Sequence, residues 1–511
     1  MSVWRTFESI VQSSPRRAAV ITTSSATTFL ELHERAHALG RGLLVRGARP
    51  GSRVAYLAEN RVQAFELFLG SSAVGVVPLA VNWRLSPREV AATLADAHAE
   101  LLIIDASTAD LARDALDDLM QPPQVITIGD VAGDDSFEGL IERGKVATTR
   151  PTKAPQMQDV ALQVYTSGTT GQPKGALLTN DNIASLLLHH GQQLGISASS
   201  VVQLNNPIFH VGGSIWGLAA LLSGAALVIA PSNKAADIVR CVAENRVTHC
   251  ALMPTVLQDV LEVPDLKGDD LRTLENISYG GSPMTVRLLS DALEVMDCDF
   301  LGAYGLTEAC GQVATLAAEH HRLKVGSSNR LKSVGLPVPG AEIAIRDPDG
   351  LAELTPGDVG EIWVRSRQIM RGYFRQPKET RAAVSPDGWL RTGDGGYRDS
   401  DGFLYLTDRI KDMIISGGEN VYPAEVENVL AAHPGVAEVA VVGTPHPRWG
   451  ETVKAFAARR PGSEVTEGEL TGYARERLAR YKCPSTVVWL EELPRNPSGK
   501  ILKDQLRASD S

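Results

Sequence analysis

The segment Tyr165-Thr-Ser-Gly-Thr-Thr-Gly-Gln-Pro-Lys-Gly175, directly after the apolar run Val160-Ala-Leu-Gln-Val164, combines the groups that hold a phosphate. Glycines let the backbone approach an anion, hydroxyls and N–H groups donate to its oxygens, and Lys174 adds positive charge. The alternative is a flexible Gly/Thr linker, but a linker needs neither a lysine nor a buried strand before it. The segment is not a Walker A loop: Pro173 replaces its second glycine, and Gly175 stands where Ser or Thr would bind magnesium. A second pattern points to different chemistry. His33-Glu34-Arg35-Ala36-His37 is a literal H-E-x-x-H, the spacing that sets two imidazoles on one helical face for zinc with glutamate as base. Gly40 extends it, but Leu43 stands where a third histidine belongs, so a metallopeptidase is a remote alternative and a solvated surface pair is expected. There is no G-x-S-x-G, and Gly40-x-Gly42 is followed by Val45 rather than a third dinucleotide-binding glycine.

The elements around these groups read as α/β. Arg53-Val-Ala-Tyr-Leu57, Gly75-Val-Val-Pro-Leu-Ala-Val81, Glu100-Leu-Leu-Ile-Ile104 and Ala226-Leu-Val-Ile-Ala230 are short apolar runs expected to be strands covered on both faces. Thr28 with Glu31 forms a capping box, after which Leu32, Ala36, Leu39 and Leu43 share a helical face. The uncharged stretch from Val211 to Asn233 contains Gly212, Gly213, Gly217, Gly224 and Pro231, so a buried helix and strand are expected rather than a membrane span. After Val334, glycines at 340, 350, 357 and 360 punctuate short strands such as Glu361-Ile-Trp-Val, marking a β-rich subdomain. From Val421 to Lys503 a compact α+β unit follows, with a helix over 423–432 and a strand over 436–442.

Composition narrows the partners. The 511 residues are 43% hydrophobic, enough for at least two domains, and Lys+Arg 50 against Asp+Glu 60 leaves a net charge of −10. That balance argues against nucleic acid or an anionic membrane as the main partner, so an anionic ligand must be bound locally. Five cysteines without a C-x-x-C pair, and an N-terminus lacking an apolar signal core, suit a reducing cytoplasm.

Five more segments follow in order: Gly280-Gly-Ser-Pro283, Ala303-Tyr-Gly-Leu-Thr-Glu308, Trp389-Leu-Arg-Thr-Gly-Asp394, the stretch Asp408 to Asn420, and Pro494-Arg-Asn-Pro-Ser-Gly-Lys500. With the phosphate segment they closely resemble the signatures of the adenylate-forming superfamily, in its acyl-CoA synthetase and fatty-acid–CoA ligase branch, along nearly the whole chain. The resemblance implies an α/β fold: a large N-terminal domain of parallel-rich sheets with a β-rich subdomain (1–410), hinged to a small α+β C-terminal domain (411–511). It implies ATP, magnesium and coenzyme A, with a carboxylate converted to an acyl-adenylate and then to a thioester. Adenylation alone, or transfer to an acyl carrier protein, is the alternative within the family.

The resemblance also implies site residues. Thr166, Ser167, Gly168, Thr169, Thr170, Gly171 and Lys174 would hold the ATP phosphates, and Glu308 with Thr166 the magnesium. Thr307 would contact the α-phosphate. Gly281, Ser282, Pro283, Ala303, Tyr304 and Gly305 would frame adenine, unless Tyr304 is only a core tyrosine, and Asp394 and Arg409 would meet the ribose. Lys500 is the implied catalytic lysine between carboxylate and α-phosphate, and His210 joins the catalytic candidates as a pocket gate or as a core histidine. Lys411 marks the hinge, and Ser416, Gly417 and Gly418 would line the path of the thiol. The acid would sit among Phe209, His210, Val211, Gly212, Trp216, Gly281, Gly305 and Cys310; no lysine or arginine lies between Gln203 and Asn233, so a hydrophobic acid is expected. One departure is Asn180, where the family often has a basic residue or histidine.

Overall fold

A computed structural model describes the chain except residues 150–153, 167–172, 265, 267, 283, 322–328, 349–351, 410–411, 413, 417–418, 422, 447–448, 479, 497–500 and 509–511. Thr28 caps the helix Phe29–Val45 as its sequence predicts: its hydroxyl accepts from the Glu31 amide, and the Glu31 carboxylate accepts from the Thr28 amide at 2.8 Å. Leu32, Ala36, Leu39 and Leu43 are fully buried, each leucine contributing about 1.5–3 kcal/mol by the usual burial scale. The Gly40-x-Gly42 pair has a packing role. A Cβ on Gly40 would lie 2.5 Å from the Gly70 carbonyl oxygen, and one on Gly42 2.1 Å from that of Leu140, so two neighbouring helices meet this one backbone to backbone.

Two large sheets follow from the apolar runs. The first runs in the order Asp135–Ser136, Gln124–Ile128, Ala99–Asp105, Arg53–Leu57, Val77–Ala80, Val160–Thr166, Lys174–Thr179, parallel except for its last pair. The second has nine strands, centred on the parallel set Val201–Leu204, His249–Leu252, Asn276–Gly280 and Asp299–Leu306. The expected strand from Gly75 starts only at Val77, because Gly75 ends the preceding helix in the left-handed region at φ 77°. Helix Val211–Leu222 and strand Ala226–Ile229 are buried in the core, and no helix among the described residues is long and apolar enough to cross a membrane.

The β-rich subdomain is an antiparallel sheet of Ala341–Arg346, Gly360–Ser366, Leu390–Arg398 and Leu404–Arg409. The C-terminal unit has its own hydrophobic core between helix Pro423–Ala431 and the pair Val436–His446 and Gly450–Arg459. Asn180 is a structural hub: its side chain accepts from the Val3 amide at 3.0 Å and donates to the carbonyls of Gln156 and Asp159. Buried and satisfied in this way, it stitches the first helix to the start of the phosphate-segment strand.

Candidate active site

The phosphate segment is the tip of a hairpin. Val160–Thr166 and Lys174–Thr179 pair antiparallel with Thr166 directly opposite Lys174, whereas a P-loop strand would lead into a helix. Ser167, Gly168, Thr169, Thr170 and Gly171, on the tip itself, lie outside the described residues. The segment Met370 to Phe374 runs alongside the returning strand, with Leu177 donating to the Gly372 carbonyl and Phe374 to that of Gly175. It delivers Tyr373 to the site. The Tyr373 ring lies 5.4 Å below the Lys174 ammonium, and its hydroxyl donates to Glu308 Oε1 at 2.7 Å. Glu308 sits with Thr307 on a single 3-10 turn, Thr307–Ala309, held where Met370 donates to the Glu308 carbonyl at 2.7 Å. Glu308 and Lys174 thus meet on Tyr373, with Thr166 opposite Lys174 in the strand pair and Thr307 beside Glu308 on its turn.

Magnesium prefers hard oxygens and is commonly held by one or two carboxylates completed by water and substrate phosphates. The single carboxylate of Glu308 fits that pattern, and the described residues contain no group of three His, Cys, Asp or Glu able to enclose a metal by themselves.

On the purine side, Gly280 pairs with Ala303 across adjacent parallel strands. Gly281 follows at φ +81° with open space where a side chain would stand, next to Ser282; Pro283 lies outside the described residues. Tyr304 packs with Ala309, Val313 and Ile362, and its hydroxyl donates to Asp394 Oδ2 at 2.8 Å. It therefore braces the acceptor expected to meet ribose, a role the sequence does not announce. Asp394 stands directly opposite Arg409 in the antiparallel pair, although the Arg409 side chain lies outside what is described.

The expected acyl block is held from a distance. Asn60 donates to the Asn206 carbonyl at 2.9 Å and accepts from the Ile208 amide, fixing the turn that ends at His210, the N-cap of helix Val211–Leu222. Phe209 and Trp216 are buried, the latter donating to the Gln203 carbonyl at 3.0 Å. Gly212 is exposed with open space around it, and Val211 is half-buried. The absence of a cation from 203–233 does not leave this face without one. Arg84, from a remote loop, places its guanidinium 4.6 Å from the Trp83 ring and 6.0 Å from Phe209, while Trp83 meets Phe209 edge-on. Burial, and then the Arg84 charge, push His210 down to about 4, so it is neutral at physiological pH; its buried Nε2 has no hydrogen-bond partner among the described residues. Cys310 is fully buried in the main core at φ 58°, and Gly305 faces the neighbouring strand at Gln312.

In the C-terminal unit, Ser416 pairs with Glu419 and with Gly450. Lys411, Gly417, Gly418 and Lys500 lie outside the described residues. Of the H-E-x-x-H pair, His37 is exposed as expected, whereas His33 is half-buried with its ring stacked on Trp4 at 4.8 Å; partial desolvation lowers the pKa of both. Arg35 between them bridges the buried Glu66 and the exposed Glu138 at 2.5 and 2.6 Å. This helix turn is a packing surface, and the described residues supply no third zinc ligand.

The AMP-binding enzyme family profile matches residues 7–374, and that of the AMP-binding enzyme C-terminal domain matches residues 425–500. A fatty acid–[acyl-carrier-protein] ligase, ScoC, from Streptomyces coeruleorubidus is 35% identical over 500 residues, covering 97% of this chain and 94% of the relative. A feruloyl-CoA synthase from an Amycolatopsis species is 36% identical over 496 residues, covering 97% and 96%. The O-succinylbenzoate coenzyme A synthetase MenE of Bacillus subtilis, solved with ATP and magnesium ion, superposes with a TM-score of 0.86 at 32% identity, covering 99% of both chains. Hairpin, acidic turn and two-part architecture together define an adenylate-forming enzyme, and the chain belongs to the AMP-binding enzyme family. It is an AMP-forming acid–thiol ligase.

Proposed function

We propose that this ligase activates a hydrophobic carboxylic acid and passes it to coenzyme A. The observation that carries the residue roles is the Tyr373–Glu308 contact beside Lys174, which sets a cation and a hard carboxylate on one edge of the hairpin. Residues 166–171 and Lys174 hold the ATP phosphates, Glu308 with Thr166 would hold magnesium, and Thr307 meets the α-phosphate. The ion supplies charge neutralisation for the phosphates. Gly281, Ser282, Pro283 and Ala303 to Gly305 frame adenine; Asp394, braced by Tyr304, and Arg409 hold ribose.

A carboxylate oxygen attacks the α-phosphorus and the bond to pyrophosphate breaks, giving an acyl-adenylate. Lys500 neutralises the two anions as they meet. The thiol, giving up its proton, then attacks the acyl carbonyl and AMP leaves. Between the steps the unit after residue 410 turns about Lys411, withdrawing Lys500 and bringing the 416–418 loop to the thiol path. Phe209, Val211, Gly212 and Trp216, with Gly281, Gly305 and Cys310, form the acyl wall. His210, neutral and without a partner at Nε2 among the described residues, suits a pocket gate better than a charged ligand for a second carboxylate. An acidic chain with unpaired cysteines suits the cytoplasm.

A carrier-protein acceptor is the second reading, favoured by the fatty acid–[acyl-carrier-protein] ligase among the relatives. Pyrophosphate and thioester are measured with magnesium, ATP and a panel of fatty, aryl and polycyclic acids, offering coenzyme A or a phosphopantetheinyl carrier protein. Thioester on coenzyme A is expected. Thioester on the carrier alone selects the second reading, and pyrophosphate without any thioester leaves adenylation only.

A further inference from the structure

The two stems of the phosphate hairpin meet on one carboxylate from another element. Tyr165, just before Thr166, donates from its hydroxyl to Asp96 Oδ2 at 2.7 Å. Pro173, just before Lys174, has no N–H for the strand ladder, but its carbonyl accepts from Gln376 Nε2 at 3.2 Å. The same amide nitrogen lies 3.3 Å from Asp96 Oδ1. Asp96, in the last turn of helix Pro87–Ala97, therefore offers one oxygen to each side of the loop base. The network continues beneath: Gln163 donates to the Tyr165 hydroxyl at 3.1 Å and accepts from Arg53 at 3.4 Å. A Cβ on Gly175 would lie 2.4 Å from the Gln163 amide nitrogen, so only glycine lets that amide pass. Burial, and then the Asp96 bond, push the Tyr165 phenol upward, so it remains a donor throughout the working pH range.

We infer that Asp96 is a positioning residue for the ATP phosphates. It fixes the spacing of Thr166 and Lys174, paired across the base of the hairpin, without touching the nucleotide, and so holds these two phosphate contacts in place before ATP arrives. This rests on reading residues 166–174 as the phosphate site. A structural tie would protect the fold as a whole, whereas a positioning tie favours the half-reaction that uses ATP phosphates.

Asp96→Ala, Tyr165→Phe and Gln376→Ala are compared in the full chain by single-turnover acyl-adenylate formation against ATP concentration. Thiolation of supplied acyl-adenylate and thermal melting are measured on the same samples. For Asp96→Ala the expected result is a loss of adenylation of roughly tenfold or more, with a raised KM for ATP and thiolation nearly unchanged. Asp96→Asn, which keeps one acceptor oxygen, falls between. Adding Tyr165→Phe to Asp96→Ala costs little more, because both remove the same contact. Equal loss in both half-reactions, or unchanged adenylation by a folded Asp96→Ala protein, overturns the assignment; should that protein not fold, Tyr165→Phe and Gln376→Ala decide on the same criteria. Lys174→Ala separates the two levels. If it leaves ATP use intact, the phosphate reading itself fails; if it cripples ATP use while Asp96→Ala does not, only the role of Asp96 fails.

Discussion

At the residue scale the site works through pairs that join distant parts of the chain. Tyr373 donates one hydrogen bond to Glu308, the proposed magnesium ligand, and partners of metal-ligating groups are commonly worth 10- to 100-fold in affinity or activity. Tyr373→Phe is accordingly expected to raise the magnesium and ATP concentrations needed for adenylation by about tenfold while thiolation of supplied adenylate continues. A titration of both half-reactions against magnesium checks this, and equal loss in the two would contradict it. Histidines set a pH limit on the fold. His210 and His321 are pushed down to about 4 chiefly by burial, so between the ordinary histidine value and about 4 the unfolded chain binds protons that the folded chain refuses. Stability is therefore complete above about pH 6.5 and falls as pH drops toward 4. Urea midpoints across that range should show the slope, and His210→Gln should flatten it.

At the scale of elements, close packing explains both what the sequence discloses and what it hides. The capping box at Thr28, the buried face of Leu32, Ala36, Leu39 and Leu43, the apolar strands and the strand that leads into the phosphate segment follow local rules, and local rules are legible in a linear chain. Tyr373, Asp96 and Arg84 do not, because each acts across a contact made only after folding, such as the 65 residues that separate Tyr373 from Glu308. Nothing in Gly372-Tyr373-Phe374 alone marks the tyrosine as a brace for a carboxylate. The histidines of H-E-x-x-H mislead for the same reason, since the Trp4 stacked on His33 comes from another helix. Leu39→Ala is expected to cost 2–5 kcal/mol of unfolding free energy, in the usual range for a buried leucine. Gly40→Ala should also destabilise, by roughly 1–3 kcal/mol, because its methyl meets the Gly70 carbonyl. Urea unfolding of both variants checks these values, and a Gly40→Ala protein as stable as the parent would contradict the backbone-contact account.

At the scale of the whole molecule, the proposed function requires an N-terminal region that holds nucleotide and acid, joined to a smaller unit that would bring Lys500 for one step and the 416–418 loop for the other. Lys411→Pro, by restricting the backbone at the proposed hinge, is expected to slow thiolation far more than adenylation, which stopped-flow measurement of thioester formation would register. The claim beneath all of this is that the chain forms an acyl-adenylate reversibly before any thiol takes part. Acid-dependent exchange of labelled pyrophosphate into ATP, without coenzyme A, tests it most directly. Exchange that requires a hydrophobic acid and magnesium, and that Lys500→Ala suppresses by several orders of magnitude while supplied adenylate is still thiolated, is the predicted result. No exchange with any acid, or exchange undiminished in Lys500→Ala, would contradict it.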